Sequence, residues 1–389
     1  MLAAPNLQVM LLLIFFGIIT AAYLGIVAAF VFGWNKVPEF SLTGMASVNT
    51  FSIIIPYRNE AENLPVLFKS LSNLNYHTSK FEIILVNDDS KDDSKILAEN
   101  FKEDFPEMNI KLLENKHKTN SPKKDAIQTA IEFSNFDYIA TTDADCVVPS
   151  KWLQFFDESI QNSASKMIAG PVGFIQLVGK KKPYFQNFEE MDFMSLQAST
   201  VGAFGVEKAF MCNAANMCYE KETFLREAGF NDNVRVASGD DVFLLQKLRK
   251  KGIEVFFIKS IKAAVYTNYQ KSLSGLINQR IRWAAKASSY TSVFAKFTGL
   301  IVFLMNLSLI VLTGLTFFKL FSYQFLMLIF LLKFNLDFIL IYKSAKFMNR
   351  ENLMRHYLWS SLLYPFFTVY VAILSFFNGY EWKGRRFHK

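Results

Sequence analysis

The sequence predicts an α/β domain on a mostly parallel sheet, tethered to a membrane by one N-terminal and about three C-terminal spanning segments. Between 51 and 145, short apolar strands alternate with helices of about a dozen residues, the pattern of parallel strands joined by crossover helices. Four apolar runs bracket this region, each close to the roughly 20 residues that a helix needs to cross a bilayer. The chain has 389 residues, 51% hydrophobic, with a net charge of +8, enough for one sizeable core besides the apolar runs.

In chain order, no residue from Leu7 to Phe32 is charged. "MLAAPNLQVM" lacks the basic start of a cleavable signal, so an uncleaved anchor is expected over 1–45. Residues 46–271 read as the globular domain, 272–296 as an amphipathic interface helix, and 297–389 as a membrane bundle with a basic tail. Positive clusters at Lys180 to Lys182, Lys343 to Arg355 and Lys383 to Lys389 accompany the apolar runs. Beside such runs, positive charge marks the cytoplasmic face and anionic lipid headgroups, so membrane lipids are expected partners and nucleic acid is not. The three cysteines, Cys146, Cys212 and Cys218, are odd in number and lack zinc spacing, which suits reduced thiols in a cytosolic domain. A domain facing the cytoplasm places the N-terminus outside, and three full C-terminal spans would put the tail outside too. The basic tail favours a cytoplasmic end, reached if the last segment is broken at Pro365 and re-entrant. Lys333 and Asp337, one helical turn apart inside a span, are expected to pair.

Within the domain, "FSIIIPYRNEAENL" is a β-branched run followed by a polar turn and a helix, and "FEIILVNDDSKDDSKILAENF" repeats that plan. "NIKLLEN" is a third strand and "SPKKDAIQTAIEFS" a third helix, with Ser121 as the expected cap and Pro122 in the first turn. "FDYIATTDADC" is the fourth strand. Ligands of such sheets bind beyond the carboxyl ends of the strands, so Pro56 to Glu60, Asn87 to Asp89, and Asp143 with Asp145 are placed to face one crevice.

Three constellations carry chemistry. Asp143 and Asp145 repel one another unless a cation relieves them, and Mg²⁺ or Mn²⁺ is commonly held by one or two carboxylates plus substrate phosphates; a turn or helix cap is the plainer reading of Asp-x-Asp alone. Asp240 and Asp241 open an amphipathic helix in "ASGDDVFLLQKLRKKG". One is expected to cap it while the other points into the cleft as a general base. In "SLSGLINQRIRWAAKASSY", Gln279, Arg282 and Trp283 stand at i, i+3 and i+4 on one helical face. A guanidinium suits phosphate and an indole suits a sugar face, while the same helix also reads as one lying in the membrane interface.

"IIIPYRNEAENL", "ILVNDDSKDDS", "SPKKDAIQTAI", "YIATTDADCVVPSKWL", "SGDDVFLLQKL" and "INQRIRWAAK", in that order, resemble glycosyltransferase family 2 in its membrane-integrated branch, which includes hyaluronan, chitin and cellulose synthases and ceramide glucosyltransferase. The match spans roughly 50 to 285, and "YEWKGRRF" is similar to tails of that branch. The resemblance implies a GT-A (Rossmann-like) domain that binds a UDP-sugar. It places Pro56 and Glu60 against the nucleoside, Asp88 on the uracil and Lys123 in the family's Gly-Lys turn, where Pro122 replaces the glycine. Asn87 and Asp89 depart from the family's Val-Asp-Asp-Gly-Ser turn. Asp143 and Asp145 match the Asp-x-Asp that holds the nucleotide sugar and its metal, and Asp241 the catalytic base, with Asp240 in place of a glutamate. Gln279, Arg282 and Trp283 match Gln-x-x-Arg-Trp, with Gln279 and Arg282 toward the nucleotide sugar and Trp283 toward the acceptor.

The implied reaction is inverting and metal-dependent at the cytoplasmic membrane. Asp241 deprotonates an acceptor hydroxyl while Arg282 and a divalent cation on Asp143 and Asp145 neutralise the departing diphosphate. Asn213 and Asn216, in the acceptor-side segment "MCNAANMCYEKETFLREAGF", are expected to hold sugar hydroxyls. Few spans are present to form a polymer channel, which favours a lipid or lipid-linked acceptor; the alternatives are a processive polysaccharide synthase using partner proteins for export and a nucleotide-sugar-binding scaffold without catalysis. A nucleotidyltransferase would need a Gly-rich loop after the first strand, and "IPYRNEAE" has no glycine.

Overall fold

The computed structural model describes residues 7–176, 182–231, 238–377 and 379–387. Lys180, Lys181, Ala237, His388 and Lys389, named above within motifs or basic clusters, lie outside them. After the anchor helix α1 (Leu7–Lys36), the domain begins with β1 (Phe51–Tyr57), α2 (Leu64–Ser72), β2 (Phe81–Asn87), α3 (Ser94–Asp104), β3 (Ile110–Glu114), α4 (Pro122–Glu132) and β4 (Tyr138–Thr141). It continues with β5 (Cys146–Val147), α5 (Trp152–Asn162), β6 (Met167–Ala169), β7 (Val172–Phe174), α6 (Tyr184–Gly205), β8 (Met217–Glu220), α7 (Lys221–Arg226), α8 (Asp240–Lys250), β9 (Val255–Phe257) and β10 (Val265–Thr267). Helices α9 (Leu273–Ala287), α10 (Val293–Phe317), α11 (Tyr323–Phe347) and α12 (Tyr357–Phe377) follow, and a hairpin of β11 (Tyr380–Trp382) and β12 (Arg385–Phe387) ends the described chain.

The main sheet has the order β3-β2-β1-β4-β8-β6-β9. Its first four strands are parallel, with Phe51 opposite both Phe81 and Tyr138. β8 runs antiparallel to β4 and β6, so the sheet is mixed rather than uniformly parallel. β2 is buried along its whole length and β1 at all but one position, which is why both read as unbroken apolar runs. A small second sheet, β5-β10-β7, contributes Cys146, Val172, Phe174 and Thr267 to the walls of the main cleft. At α4 the structure departs from expectation. The Ser121 hydroxyl makes no cap, and Asp125 instead accepts the Lys118 and Thr119 amides and the Thr119 hydroxyl, tying the preceding loop down from inside the first turn.

Among the described residues, α1, α10, α11 and the 351–377 segment containing α12 are long and apolar enough to cross a membrane. α1 crosses α6 at glycines: a Cβ on Gly202 would stand 2.4 Å from the Phe30 carbonyl oxygen, and one on Gly205 1.9 Å from that of Gly33, so the backbones touch. α12 passes through Pro365 without a break, which corrects the expected interruption; proline removes one donor to the Ser361 carbonyl and the helix continues. Both ends of α12 nonetheless return to the domain. Before it, Arg350 donates to the Phe174 carbonyl and pairs with Glu190. After it, Arg385 pairs with Asp88 and Lys383 with Glu60. Both ends of this candidate span thus contact the same domain.

Candidate active site

The turns after β1, β2 and β4 form one rim of a cleft of about 400 Å³, and α8 and α9 form the opposite rim. The first two turns interlock. Asn59 and Asp89 both adopt left-handed backbone, with φ of 52° and 54°. The Asn59 amide donates to the Ser90 hydroxyl, and its side-chain carbonyl accepts the Lys91 amide. Asp89 occupies the position where the resemblance expects glycine, and aspartate is among the few residues that tolerate this geometry. Asn87, standing for the first acid, accepts the Ser90 amide and donates to Glu114, so it shapes the turn.

Among the expected site residues, Pro56, Glu60, Asp88, Lys123, Asp143, Asp145, Asp240, Asp241, Gln279, Arg282 and Trp283 line this cleft. Asn216 does not. Its Oδ1 accepts from Trp152 Nε1 at 2.9 Å, and its Nδ2 donates to the Pro171 and Ala263 carbonyls. With those bonds it ties β8 to the second sheet, and it has nothing to offer an acceptor. Asn213 does line the cleft, with its Oδ1 accepting the Ala215 amide.

The carboxylates form a connected electrostatic system. Lys123 Nζ sits 2.7 Å from Asp143 Oδ1 and 3.4 Å from Asp240 Oδ2. Burial works against its charge, yet Asp143 and Asp240 hold it well above the ordinary lysine range. Asp240 is buried, and burial pushes its carboxyl up against the pull of Lys123, with Asp241 and Asp143 adding to the push. Asp241 goes the other way. Burial raises it, but Lys286 at 3.8 Å, then Lys123, and the amides of Val242 and Ala214 outweigh burial and hold it below the ordinary carboxylate range. The N-cap of α8 is Gly239 at φ 87°, and both aspartates fall in the first turn, so neither caps as expected. The strand-end pair is different again: Asp145 is pushed up to about 6 by burial, by Asp143 and by Glu60. Oxygens of Asp143 and Asp145 and the Cys146 sulfur lie within 4.8 Å of one another. Carboxylates that are hard to ionise together in so small a space form a donor set that suits a divalent cation.

On α9, Gln279, Arg282 and Trp283 turn one face to the cleft. Arg280, on the other side, pairs with Asp192 at 2.6 Å and lies over the Trp283 ring at 4.3 Å, which fixes the indole. Three basic residues that contact the site's carboxylates escaped sequence reasoning. Lys286 stands four residues beyond Arg282, and that i+4 spacing was the available signal. Lys383 and Arg385 reach the site from the far end of the chain: Lys383 meets Glu60, and Arg385 Nη1 lies 2.6 Å from Asp88 Oδ2. The basic character of "WKGRRF" and its similarity to tails of the resembled branch were the available signals. The expected Lys333–Asp337 pair is present at 2.5 Å.

A mixed sheet with parallel strands ending in carboxylate turns, faced by an acidic helix start and a basic helix, defines a GT-A-like glycosyltransferase fold. Sequence comparison names the family. The model of Glycosyl transferase family 2 matches residues 52–218, and that of Glycosyl transferase family group 2 matches residues 138–380, more than half of the chain. The protein belongs to the family 2 glycosyltransferases. It is 23% identical to glycosyltransferase AglE of Haloferax volcanii over 54% of this chain and 64% of that protein. It is 22% identical to the poly-beta-1,6-N-acetyl-D-glucosamine synthase of Staphylococcus aureus strain COL over 64% of this chain and 57% of that one. The matches thus span less than two thirds of either relative. Mannosyltransferase PcManGT from Pyrobaculum calidifontis, solved with GDP-Man and Mn²⁺, shares the fold: its TM-score is 0.60 at 16% identity, over 91% of this chain and 99% of that one.

Proposed function

We propose that the protein is an inverting, metal-dependent membrane glycosyltransferase that moves a hexosyl or N-acetylhexosaminyl group from a UDP-sugar to a lipid or lipid-linked acceptor at the cytoplasmic face. The observation that carries this reading is the placement of Asp241, 3.8 Å from Lys286, in the same cleft as Asp143 and Asp145. Ionised at neutral pH, Asp241 takes the proton of the acceptor hydroxyl as that oxygen attacks the anomeric carbon. The new carbon–oxygen bond forms opposite the bond to the diphosphate, which leaves as UDP, so configuration inverts and no covalent enzyme intermediate is required. Asp143 and Asp145 would hold Mg²⁺ or Mn²⁺, whose charge offsets that of the leaving diphosphate when bound. Arg282 and Gln279 face the same group from α9, and Trp283 offers a flat apolar surface to a sugar ring. Pro56, Glu60 and Asp88 form the nucleoside end. There the tail's Lys383 and Arg385 close over the acidic side chains.

The contacts at both ends of α12 support one membrane arrangement. α1, α10 and α11 cross the bilayer, the N-terminus lies outside, and α12 lies along the inner surface against α9, which keeps domain and tail on the cytoplasmic side. The test is mass spectrometry of products after membranes are incubated with a panel of UDP-sugars and GDP-mannose, with Asp241→Asn alongside. A single glycolipid from the parent protein and none from the variant supports the reading. Nucleotide binding without release from any donor, in both proteins, would show a binding scaffold. A ladder of products would select the polymerising alternative, which the name of the staphylococcal relative favours.

A further inference from the structure

Below the catalytic cleft lies a second cavity, of about 250 Å³, enclosed by α1, α6, α10, α11 and α12. We propose that it holds the hydrocarbon chain of a lipid acceptor, threaded from the bilayer to the catalytic base; this rests on the transferase reading above and gives its lipid acceptor a binding site.

Three observations carry it. First, the cavity and the cleft share walls: Leu196, Met211 and Tyr290 line both. A chain lying in the lower chamber therefore ends with its head group at the acceptor side of the cleft, where Asp241 also stands. Second, the chamber is apolar by composition and by elimination. Ile26, Phe30, Met191 and Ile341 are among its walls. The charged side chains that line it are already spent: Lys333 pairs with Asp337 at 2.5 Å, Asp337 also accepts the Tyr23 hydroxyl at 2.7 Å, and Asp192 is held by Arg280. The lining also carries scattered hydroxyls, of which those of Thr298 and Ser360 are buried without a partner; so few groups replace little of a glycan's hydration, whereas a hydrocarbon loses nothing. Third, the wall opens toward lipid. Gly299 lines the chamber on α10, two turns from the domain end of that helix, and a Cβ built on it meets nothing within 4 Å. Its neighbours Phe297 and Leu300 are about half exposed, at 49% and 53%, on a helix long and apolar enough to span. Such a surface faces acyl chains, so Gly299 marks a side entrance in the leaflet next to the catalytic domain.

The test uses the full-length protein in nanodiscs with a dodecyl β-glucoside that carries a diazirine in its alkyl chain. Photolabelling followed by peptide mapping is expected to mark chamber residues of α1, α6 and α10. Gly299→Trp fills the entrance without displacing the framework and is expected to lower that labelling at least fivefold, with melting temperature and nucleotide binding unchanged. Gly314→Trp, on the same helix where a Cβ also meets open space but away from the chamber, should label as the parent does. Labelling confined to outward residues such as Phe297 and Leu300, or full chamber labelling in Gly299→Trp, overturns the proposal. So does displacement of the probe by a soluble chitooligosaccharide, which would make the chamber a glycan path. Asp241→Asn separates the two readings: it should abolish sugar transfer and leave labelling intact. Chamber labelling in a parent protein that transfers no sugar would remove the transferase reading while the lipid site stands.

Discussion

Replacing Lys123 with methionine keeps the reach of the side chain and deletes the charge between two carboxylates. Its ammonium lies 2.7 Å from Asp143 and 3.4 Å from Asp240. At an effective dielectric of about 20 those separations correspond to attractions of about 6 and about 5 kcal/mol. Desolvation of the three ions offsets several kcal/mol of each, and Asp143, with 37% of its side chain exposed, is screened by water. What remains is in the range of about 3–5 kcal/mol for removing one partner of a buried pair. The lower end applies, about 3 kcal/mol, because Asp240 relieves the repulsion by taking up a proton. At about 2 °C per kcal/mol for a domain of this size, the melting temperature should fall by about 6 °C at pH 8. The sign with pH follows from Asp240, whose carboxyl is already raised and rises further in the variant. A group whose folded-state pKa exceeds its unfolded value stabilises fully below the unfolded value and loses that contribution as pH rises through the folded one. The deficit of Lys123→Met should therefore be smaller at pH 5 than at pH 8. Scanning fluorimetry in detergent at both pH values measures it. A deficit below 1 °C at pH 8, or one no smaller at pH 5, would refute the account of Lys123 as the ion that holds these carboxylates together.

Asp241→Asn should reduce kcat by about 10²- to 10⁴-fold, the usual worth of a positioned base, with donor KM little changed; steady-state assays of nucleotide release read both, and a loss confined to KM would contradict the role. Asn216→Ala strands the Trp152 indole N–H and leaves the Pro171 and Ala263 carbonyls without that partner, so it should cost about 2–4 kcal/mol of stability, seen as a lower denaturation midpoint. Gly205→Val pushes α6 off the Gly33 backbone and should lower the melting temperature more than Gly17→Val, where a Cβ meets nothing. Glu189 is pushed up to about 7 by burial, which outweighs the pull of Arg280. Its folded-state value is raised, so its contribution is complete below about 4.5 and is lost as pH rises to about 7; Glu189→Gln should flatten the fall in melting temperature across that window.

Much of the site was legible because its residues fall at strand ends, and in a parallel sheet every strand end of like direction faces the same edge. Pro56, Asp88 and Asp143 could be placed together without knowing any distance. Spacing along a helix served Gln279, Arg282 and Trp283 in the same way, since rotation per residue is a property of the backbone alone. Where sequence reasoning went astray, the deciding partner was remote. Asn216 looks free in "CNAANMC", yet Trp152, 64 residues away, and the Pro171 and Ala263 carbonyls together engage it. Ser121 looks like a cap, but Asp125 can satisfy the loop amides better from inside the helix.

The sequence by itself determined that this chain is an α/β protein with apolar helices long enough to cross a membrane, that its acidic pairs end strands or open a helix, and which order of motifs joins them. Local propensity and periodicity are enough for that, because they act over a few residues. Only the tertiary structure decided that Lys123 bridges Asp143 to Asp240, that Lys286 stands 3.8 Å from Asp241, that the tail reaches back to Glu60 and Asp88 across some 300 residues, and that Gly299 lines a second cavity sharing walls with the cleft. Each depends on charge or volume supplied by a segment distant in the chain. Coulomb energy and packing respond to separation in space, and separation along the sequence does not record it.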